Sequence, residues 1–370
     1  SSCRFQRRQR ARSGRWRRPL GGRMGSGGSS WGCCGREDEG ARGAALEVVA
    51  CSHGKDLQGQ RGPTSVRVPD GVVILGDGAF RDCRALCAVS LPSSLRHVGE
   101  DAFRGCAALR TVRMPETVSK IGGGAFSGCD ALGSIDIPAS VTEIGDETFS
   151  GCKALAFVRM PPFLSRIGNW AFFGCESLVH VDLPQSVAHI GRCAFYGCSG
   201  MGSVSIPRAV TVLERGTFAY CRSLVEVRLP DTVVSIGAWA FRDCSSLTSL
   251  KLPGSVTSIG HQAFAMCGSL RSMDIPPLTT SIGPGAFASC VSLERVEIPQ
   301  SVTHIGDGAF IWCASLGSVE APRSVTSVGV DAFFGCGTGC AAGLPAPARA
   351  GQGPALPDAA AKQRPHGVAG

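Results

Sequence analysis

The sequence predicts an α/β-type solenoid, in which short coils stack into one elongated body around a shared hydrophobic core. Twelve phenylalanines recur at an unbroken spacing of 23 residues from Phe80 to Phe333. A cysteine follows each of them by three residues, and a proline column from Pro69 to Pro322 keeps the same step. Because every position of a repeat takes the same place in each turn of a solenoid, this period predicts about 11 to 12 coils of 23 residues over 63–340.

Each coil is predicted to begin with a short strand. In one representative coil the apolar residues Leu109, Val112 and Met114 hold the first, fourth and sixth places, which predicts a strand that points these side chains inward. Pro115 ends the strand, because proline has no amide hydrogen to give to the ladder. Equivalent strands of successive coils are expected to pair into one parallel sheet on the concave side of the solenoid.

The rest of the coil is predicted to be a turn followed by a short helical segment. Gly122 is suited to a turn that needs positive φ. Ala125 and Phe126 are expected in a tight helical or 3-10 turn on the convex side, with the small alanine where coils crowd and the phenylalanine ring in the middle of the coil. A single coil is too small to bury a core of its own, so only stacking makes the fold stable.

The net charge of +8 belongs to the N-terminal arm of the chain. Residues 1–62 hold thirteen Lys and Arg against five Asp and Glu and are rich in Gly and Ser, which predicts a disordered basic arm. Residues 341–370 are mostly Ala, Pro and Gly and are predicted to be a disordered tail. Nucleic acid and anionic membranes could therefore bind only the arm, and neither is expected as a partner of the nearly neutral solenoid.

No stretch of the sequence is long and apolar enough to indicate a membrane span, and no secretory signal is visible. A lipid anchor stays open as an alternative. If translation starts at Met24, the residues from Gly25 to Ser29 fit the myristoylation pattern, and Cys33 and Cys34 are candidates for a second lipid. Such a start would make the protein an intracellular, membrane-anchored scaffold. These features leave the compartment undetermined.

The cysteine column predicts a structural role. One cysteine per coil at an equivalent buried place does not make a tetrahedral ligand set, so no metal and no other cofactor is expected. The thiols are predicted to donate to backbone carbonyls. Cys83 with Cys87 and Cys336 with Cys340 stand four residues apart at the two ends of the column, and each pair is a candidate disulfide in an oxidising compartment.

The sequence shows no catalytic constellation. His97, His189 and His304 share one position of the repeat but lie four or five coils apart, too far to converge on one substrate. Most serines occupy repeated turn positions, where local hydrogen bonds to the backbone explain them. The sequence therefore predicts a protein that is not an enzyme.

The repeat unit reads Leu-x-x-Val-x-Ile-Pro-x-Ser-Val-x-x-Ile-Gly-x-x-Ala-Phe-x-Gly-Cys and resembles the BspA-like class of leucine-rich repeats. Single coils depart from it: Glu214 replaces glycine, Met201 replaces leucine, Thr148 and Thr217 replace alanine, and Thr279 follows a doubled proline. The resemblance implies a right-handed leucine-rich-repeat coil. It also implies a role in adhesion or protein recognition, at the cell surface or after secretion.

The candidate binding residues lie on the outward side of the predicted strands, which would face the concave surface that solenoids generally use for binding. Phe157 beside Arg159, His180 and Asp182 forms the central candidate patch, because aromatic and arginine side chains dominate binding hot spots. In chain order the candidates are Arg113, Phe157, Arg159, His180, Asp182, Glu226, Arg228, Asp274, Arg295, Glu297 and Glu320.

Two features of the predicted surfaces leave alternatives open. The acids Asp274, Glu297 and Glu320 point to a basic partner or a divalent cation, unless solvent and Arg295 screen them. On the convex side, aromatic residues stand where most coils have small or polar ones, and they serve either local packing or a further contact. These are Trp170, Phe173, Tyr196 and Tyr220.

The sequence thus favours a monomeric, non-enzymatic solenoid that binds another protein or a glycan through its concave face. The first alternative is a targeting module of a larger enzyme. The second is the membrane-anchored scaffold that a start at Met24 implies.

Overall fold

The repeat folds as the period of 23 predicts. The structure, a computed structural model, describes residues 30–34, 46–47, 49–51, 64–320, 322–337 and 340. Within them the chain forms a parallel-strand solenoid of about eleven coils. Each coil has three sides: a first strand, a second strand and a turn segment that contains the column phenylalanine. The register confirms the repeat, because paired strand residues of the repeat lie 23 positions apart, as Ile135 and Val158 do.

The first strands show the predicted alternation of buried and exposed side chains. Val158 lies buried between exposed Phe157 and Arg159. Parallel pairing joins the first five of these strands, together with Leu46–Glu47, into one sheet, and two further pairs and an isolated bridge between His180 and Ser203 follow it along the chain. In the repeat they are Ser65–Arg67, Ala88–Ser90, Thr111–Val112, Ser134–Asp136, Phe157–Arg159, Ser203–Ser205, Glu226–Arg228, Ser272–Asp274 and Arg295–Glu297.

A second strand, which the residue pattern did not predict, lies on another side of each coil. It is only two residues long, too short to show a period of two in the sequence. These strands also pair in parallel with those of neighbouring coils. They are Ile74–Leu75, His97–Val98, Lys120–Ile121, Glu143–Ile144, Arg166–Ile167, His189–Ile190, Val212–Leu213, Ser235–Ile236, Ser258–Ile259, Ser281–Ile282, His304–Ile305 and Ser327–Val328.

The ladder of second strands is interrupted twice, after Lys120–Ile121 and after His189–Ile190. In both cases the next coil carries a threonine, Thr148 or Thr217, where the other coils have alanine. Both threonines are fully buried, and their Oγ1 atoms donate to carbonyls of their own coils at 2.9 and 2.8 Å. The two threonines thus mark the coils at which this pairing is lost, and in the second of these coils Glu214 also stands in the glycine column.

The turn segment corrects one prediction. Among the described residues it contains no helix, so the predicted helical or 3-10 turn on the convex side is wrong. The reason is that two residues per coil are left-handed, such as Gly124 with φ 64° and Gly128 with φ 71°, and they interrupt any right-handed helix. The hydrogen bonds run to the next coil instead: the amides of Gly124 and Phe126 donate to the carbonyls of Asp146 and Thr148 at 2.9 and 2.8 Å.

The role predicted for Gly122 is also wrong, since this residue does not adopt positive φ. A Cβ atom at Gly122 would lie 2.5 Å from the amide nitrogen of Glu100 in the preceding coil. Glycine is therefore needed here for the close approach of two backbones, and positive φ falls two residues later on Gly124.

The phenylalanine column forms a continuous stack of rings through the centre of the solenoid. Successive ring centroids lie 5.2–5.7 Å apart, and successive rings are within 14° of parallel. The rings from Phe103 to Phe310 are fully buried.

A turn that begins at the column proline separates the two strands of each coil. In one coil the carbonyl of Pro115 accepts a hydrogen bond from the amide of Val118 at 3.0 Å.

Three described strands lie within the range of the predicted basic arm: Ser30–Cys34, Leu46–Glu47 and Val49–Cys51. Ser30–Cys34 pairs in parallel with the first member of the second ladder, and Leu46–Glu47 pairs with the first member of the first ladder. The other residues of 1–62 and all of 341–370 lie outside the described residues, so their predicted disorder stays a prediction.

Candidate binding surface

The first strands present an exposed surface, here called the first-strand face, made by the residues on either side of each buried middle residue. The backbone alternation places Phe157 and Arg159 together on this face, and His180 and Asp182 hold the same two positions in the next coil. Phe157 is 47% exposed, although the strand that carries it is anchored in the core through Val158. The four residues of the predicted central patch therefore lie on one surface, in two successive coils.

Charged partners hold the side chains around Phe157. Arg159 lies opposite Asp136 in the strand register, and its Nε is 3.5 Å from Asp136 Oδ1. His180 Nε2 lies 2.8 Å from Asp182 Oδ1 within one strand. Exposed pairs of this kind add little to stability, so their effect is mainly to orient the guanidinium and the imidazole.

Further candidates form similar pairs towards the C-terminal end of the face. Arg228 Nε lies 2.7 Å from Glu226 Oε1, and Arg295 forms an ion pair with Glu297 in the same arrangement. Each pair reaches across the buried middle residue of its own strand. Arg295 therefore screens one of the three acids, as one of the two predicted alternatives requires.

The remaining candidates are exposed. Arg113, Asp274 and Glu320 have no ion-pair partner among the described residues. Asp274 lies opposite Glu297 in the strand register. The part of the chain that the structure describes contains no group of three or more His, Cys, Asp or Glu residues that could hold a metal ion.

The candidates make a stripe along the solenoid and do not converge on one pocket. At a spacing of about 4.8 Å between paired strands, the six steps from the coil of Phe157 to that of Arg295 cover about 29 Å. The structure thus brings together the central patch, and it leaves the acids near the C-terminal end as a separate part of the face.

The cysteine column has the structural role that the sequence predicts. Cys129 Sγ donates to the carbonyl of Phe103 at 3.2 Å, and all eleven column thiols from Cys106 to Cys336 make the equivalent bond at 3.0–3.2 Å. Burial is the largest cause that raises the pKa of the thiols from Cys106 to Cys290, that of Cys152 to about 12. For Cys313 and Cys336 a hydrogen bond with the preceding column thiol raises the pKa most. A buried neutral thiol is a weak nucleophile and a poor metal ligand, so the column is not a reactive site.

The two predicted disulfides at the ends of the column are not formed in the structure. Cys87, Cys336 and Cys340 carry free thiols. Cys87 Sγ donates to the carbonyl of Ala85 at 3.4 Å, and the carbonyl of Cys340 accepts the amide of Val319 at 3.1 Å. Hydrogen bonds therefore hold both segments.

Comparison with known proteins decides the family. A family model described as "BspA type Leucine rich repeat region" matches the chain in six copies, over residues 59–178, 124–244 and 211–338. The chain belongs to the BspA-type leucine-rich repeat family. This membership confirms the resemblance that the repeat unit shows. No curated protein matches the chain.

Three solved structures that are similar to this BspA-type chain are bacterial. A leucine-rich cell surface protein from Faecalibacterium prausnitzii A2-165 is 32% identical, with 70% of this chain and 80% of that chain covered and a TM-score of 0.51. A leucine-rich repeat protein from Bacteroides ovatus ATCC 8483 is 27% identical, with 81% and 90% covered and a TM-score of 0.54. The pneumococcal vaccine antigen PcpA, at 20% identity, 77% and 73% coverage and a TM-score of 0.51, shows a likeness of fold alone.

Two further observations bear on function in this BspA-type solenoid. Among the described residues there is no helix with the length and apolar character that crossing a bilayer requires. His97, His189 and His304 all lie in second strands, where their register partners include Lys120 and Arg166 but none of the three histidines.

The turn segments of the BspA-type coils form another surface, here called the turn face. On it the ring of Phe173 stacks on Tyr196 with centroids 4.9 Å apart, and Tyr196 lies 4.9 Å from Tyr220. Trp170 beside them is 41% exposed. Burial raises the pKa of Tyr196 to about 12, with a smaller effect from Tyr220. The stacked rings pack locally, as one alternative predicts, and they remain partly accessible, so a further contact there stays a prediction.

Proposed function

We propose that this BspA-type solenoid is a non-enzymatic recognition protein that binds another protein or a glycan through the first-strand face. The observation that carries the proposal is the exposed ring of Phe157 between ordered charged side chains. Burial of such a ring against a partner is favourable because it removes apolar surface from water. The ring is on a strand, so binding has no entropic cost of ordering a flexible loop. Arg159, His180 and Asp182 then supply hydrogen bonds and charges that select the partner.

The same stripe extends the contact surface towards Glu226, Arg228 and the acids near Glu320. An extended partner that follows the strands can meet several of these residues at once, as binding to solenoids commonly does. The proposal includes that this face is concave and that the solenoid binds as a monomer. The first of these is measured by small-angle scattering and the second by light scattering.

The cell surface is the proposed place of action. The support is the 32% identity to a leucine-rich cell surface protein, together with the family that the repeats define. Mild protease treatment of intact cells tests it. Loss of the full-length chain under conditions that spare a cytosolic marker supports the proposal, and full protection contradicts it, as expected for an intracellular scaffold.

Binding of the full chain to a glycan array and to immobilised surface proteins tests the proposed face. The variant Phe157→Ala/Arg159→Ala is compared with Phe163→Ala/Lys120→Ala, which removes an exposed phenylalanine and a cation from other positions; Phe163 is 70% exposed. We expect the first variant to lose affinity about tenfold, or about 1.4 kcal/mol, for whichever partner the wild type binds. The control is expected to keep it.

Equal affinities of the two variants and the wild type would contradict the proposed face. Turnover of a bound glycan or protein by the wild type would contradict the non-enzymatic role. Circular dichroism of both variants shows that the solenoid is intact, since neither pair of side chains is part of the core.

A further inference from the structure

The turn face changes character along the solenoid. In the N-terminal coils its arginines are neutralised by acids: Arg81 Nη1 lies 3.1 Å from Asp101 Oδ2, and Arg104 Nη1 lies 3.3 Å from Asp101 Oδ1. In the central coils aromatic rings replace the acids. We call this region the aromatic–arginine patch; it consists of Phe173, Tyr196, Arg215, Tyr220, Trp239 and Arg242.

Two of the rings occupy strained backbone positions. Tyr220 has φ 62° and Trp239 has φ 61°, where the preceding coils place Gly197 and Gly216. A bulky L-residue is sterically disfavoured in the left-handed region, whereas glycine is not. The chain therefore carries large rings on this surface at positions where glycine would be easier to accommodate. The same two positions are left-handed in every coil, so the fold accounts for the backbone conformation, and the large rings are the feature particular to these coils.

Neighbouring rings of the patch contact one another. Phe173 and Tyr196 stack with planes 12° apart and centroids 4.9 Å apart, and Tyr220 lies 4.9 Å from Tyr196 with its plane tilted by 42°. Because the rings cover one another's faces, their edges are the part left for a ligand. The edge is the positive end of an aromatic quadrupole, so it attracts negative charge.

The two arginines of the patch are held by neutral groups. The guanidinium of Arg215 lies 4.1 Å from the centroid of Trp239, and Arg242 Nε donates to Tyr220 Oη at 3.4 Å. Neither forms an ion pair with any of the described residues. Each guanidinium is therefore positioned but keeps its charge, which is the arrangement that receives a carboxylate at small entropic cost.

Arginines just outside the patch differ in this respect. Arg192 Nε lies 3.7 Å from Glu214 Oε2, and Arg222 Nη2 lies 2.9 Å from Asp243 Oδ2. The absence of an acid is therefore specific to Arg215 and Arg242 within this region.

The patch also contains an unsatisfied donor. Trp239 Nε1 is buried and has no hydrogen-bond acceptor among the described residues. Buried polar groups in folded proteins are nearly always paired, so such a donor needs an explanation. The donor lies below the surface, beside the Arg215 guanidinium, so it marks unusual packing within the patch and is not itself a contact for a ligand.

We propose that the aromatic–arginine patch binds an acidic segment of a partner protein. Carboxylates of the segment pair with Arg215 and Arg242, and its apolar side chains pack against the exposed parts of Phe173 and Trp170, which are 36% and 41% exposed. This site lies on the turn face and is independent of the first-strand face.

A protein segment suits the geometry better than a nucleic acid or a glycan. Single-stranded nucleic acids and sugars stack on the faces of aromatic rings, and the faces of Tyr196 are covered by Phe173 and Tyr220. A peptide uses ring edges, apolar contacts and guanidinium groups together.

The test measures hydrogen exchange of the full chain with and without a peptide of alternating Glu and Leu residues, at physiological salt. The readout is protection of the amides in 212–243, which excludes any signal from peptide bound to the basic arm. The variant Arg215→Ala/Arg242→Ala is compared with Arg104→Ala/Arg192→Ala, which removes the same charge from acid-paired positions of the turn face.

We expect the Glu-Leu peptide to protect 212–243 in the wild type and in the control variant. In the Arg215→Ala/Arg242→Ala variant the peptide concentration needed for half protection is expected to rise about tenfold. Phe157→Ala/Arg159→Ala is expected to leave the protection unchanged, which separates this site from the first-strand face.

Three results would overturn the proposal: no protection by the Glu-Leu peptide, equal losses in the two arginine variants, or equal protection by a Lys-Leu peptide. If a single-stranded oligonucleotide protected these amides more strongly than the Glu-Leu peptide, the ligand of the patch would be a nucleic acid and not an acidic segment.

Discussion

At the scale of the residue, each side chain of a column meets its own equivalents. Phe126 lies between Phe103 and Phe149, with ring centroids 5.2 and 5.6 Å away. Like side chains have matching shapes, so a period of identical residues is enough to predict which positions are buried. The left-handed positions could not be predicted in the same way. Glu147 and Trp170 adopt φ 57° and 53°, and neither residue type favours such a conformation.

The thiol column predicts how stability depends on pH. Burial raises the pKa of thiols such as Cys198 in the folded state, while an unfolded cysteine titrates near the ordinary value of 9.0. Above pH 9 the unfolded chain therefore releases protons that the folded chain retains. The stabilising contribution is complete below pH 9 and falls above it, by about 1.4 kcal/mol per thiol and pH unit.

Urea unfolding at pH 7 to 11 measures this effect. The midpoint is expected to be constant up to about pH 8 and to fall steeply above pH 9. A variant with Cys175, Cys198 and Cys221 replaced by alanine is expected to show a shallower fall. A midpoint that does not change up to pH 11, or equal slopes for the two proteins, would contradict the buried, neutral thiol column.

At the scale of the element, the hydrogen bonds that shape a coil mostly lead to its neighbours. The second strands are two residues long, and the turn segments donate to the next coil, so no pattern within one coil reveals either. The first strands were predictable, because residues such as Ile135 and Val158 alternate with exposed ones over a longer stretch. The end of the first strand at proline was also predictable, because the lack of an amide hydrogen is a property of the residue alone.

Close contact between coils predicts which glycines are essential. A Cβ atom at Gly260 would lie 2.6 Å from the amide nitrogen of Ala238, whereas one at Gly254 would have nothing within 4 Å. Neither glycine has positive φ. Gly260→Ala is therefore expected to reduce the free energy of unfolding by about 1–3 kcal/mol, because the two coils must move apart. Gly254→Ala, the matched control, is expected to change it by less than about 0.5 kcal/mol.

Chemical denaturation of the two variants measures the difference. Equal stabilities would show that the glycine column is not set by the approach of neighbouring backbones. A large loss for Gly254→Ala would show that the backbone there has a role that the structure does not explain.

At the scale of the whole molecule, the repeat provides a rigid body and two separate surfaces. The position of Phe157 and Arg159 on one face was predictable, since strand alternation fixes it. The partners of the charged residues were not: cross-strand pairing holds for Asp136 with Arg159, but Glu226 and Arg228 pair within one strand. Whether an ion pair forms between neighbouring strands or within one strand depends on side-chain rotamers, and the period of the sequence does not determine them.

The rigidity of the solenoid favours the binding role proposed for it. Its strands and turn segments are tied to both neighbouring coils, so exposed side chains lie on a surface with little conformational freedom to lose. The core of the solenoid is the same in every coil, and the residues that vary from coil to coil are those on the two faces. Specificity is therefore carried by the variable positions, and stability by the constant ones.

The central claim is that the coil of 23 residues is the unit of folding, and removal of one unit tests it most directly. Urea unfolding is measured for a chain that lacks residues 242–264 and for one that lacks only 242–253. We expect the first chain to unfold in a single cooperative transition, because Phe241 and Ala265 rejoin in register. The second chain loses the register at the junction, so its midpoint is expected to be clearly lower or its unfolding to divide into separate steps on the two sides of the deletion. Equal midpoints and equal cooperativity in the two chains would contradict the stacked, in-register columns.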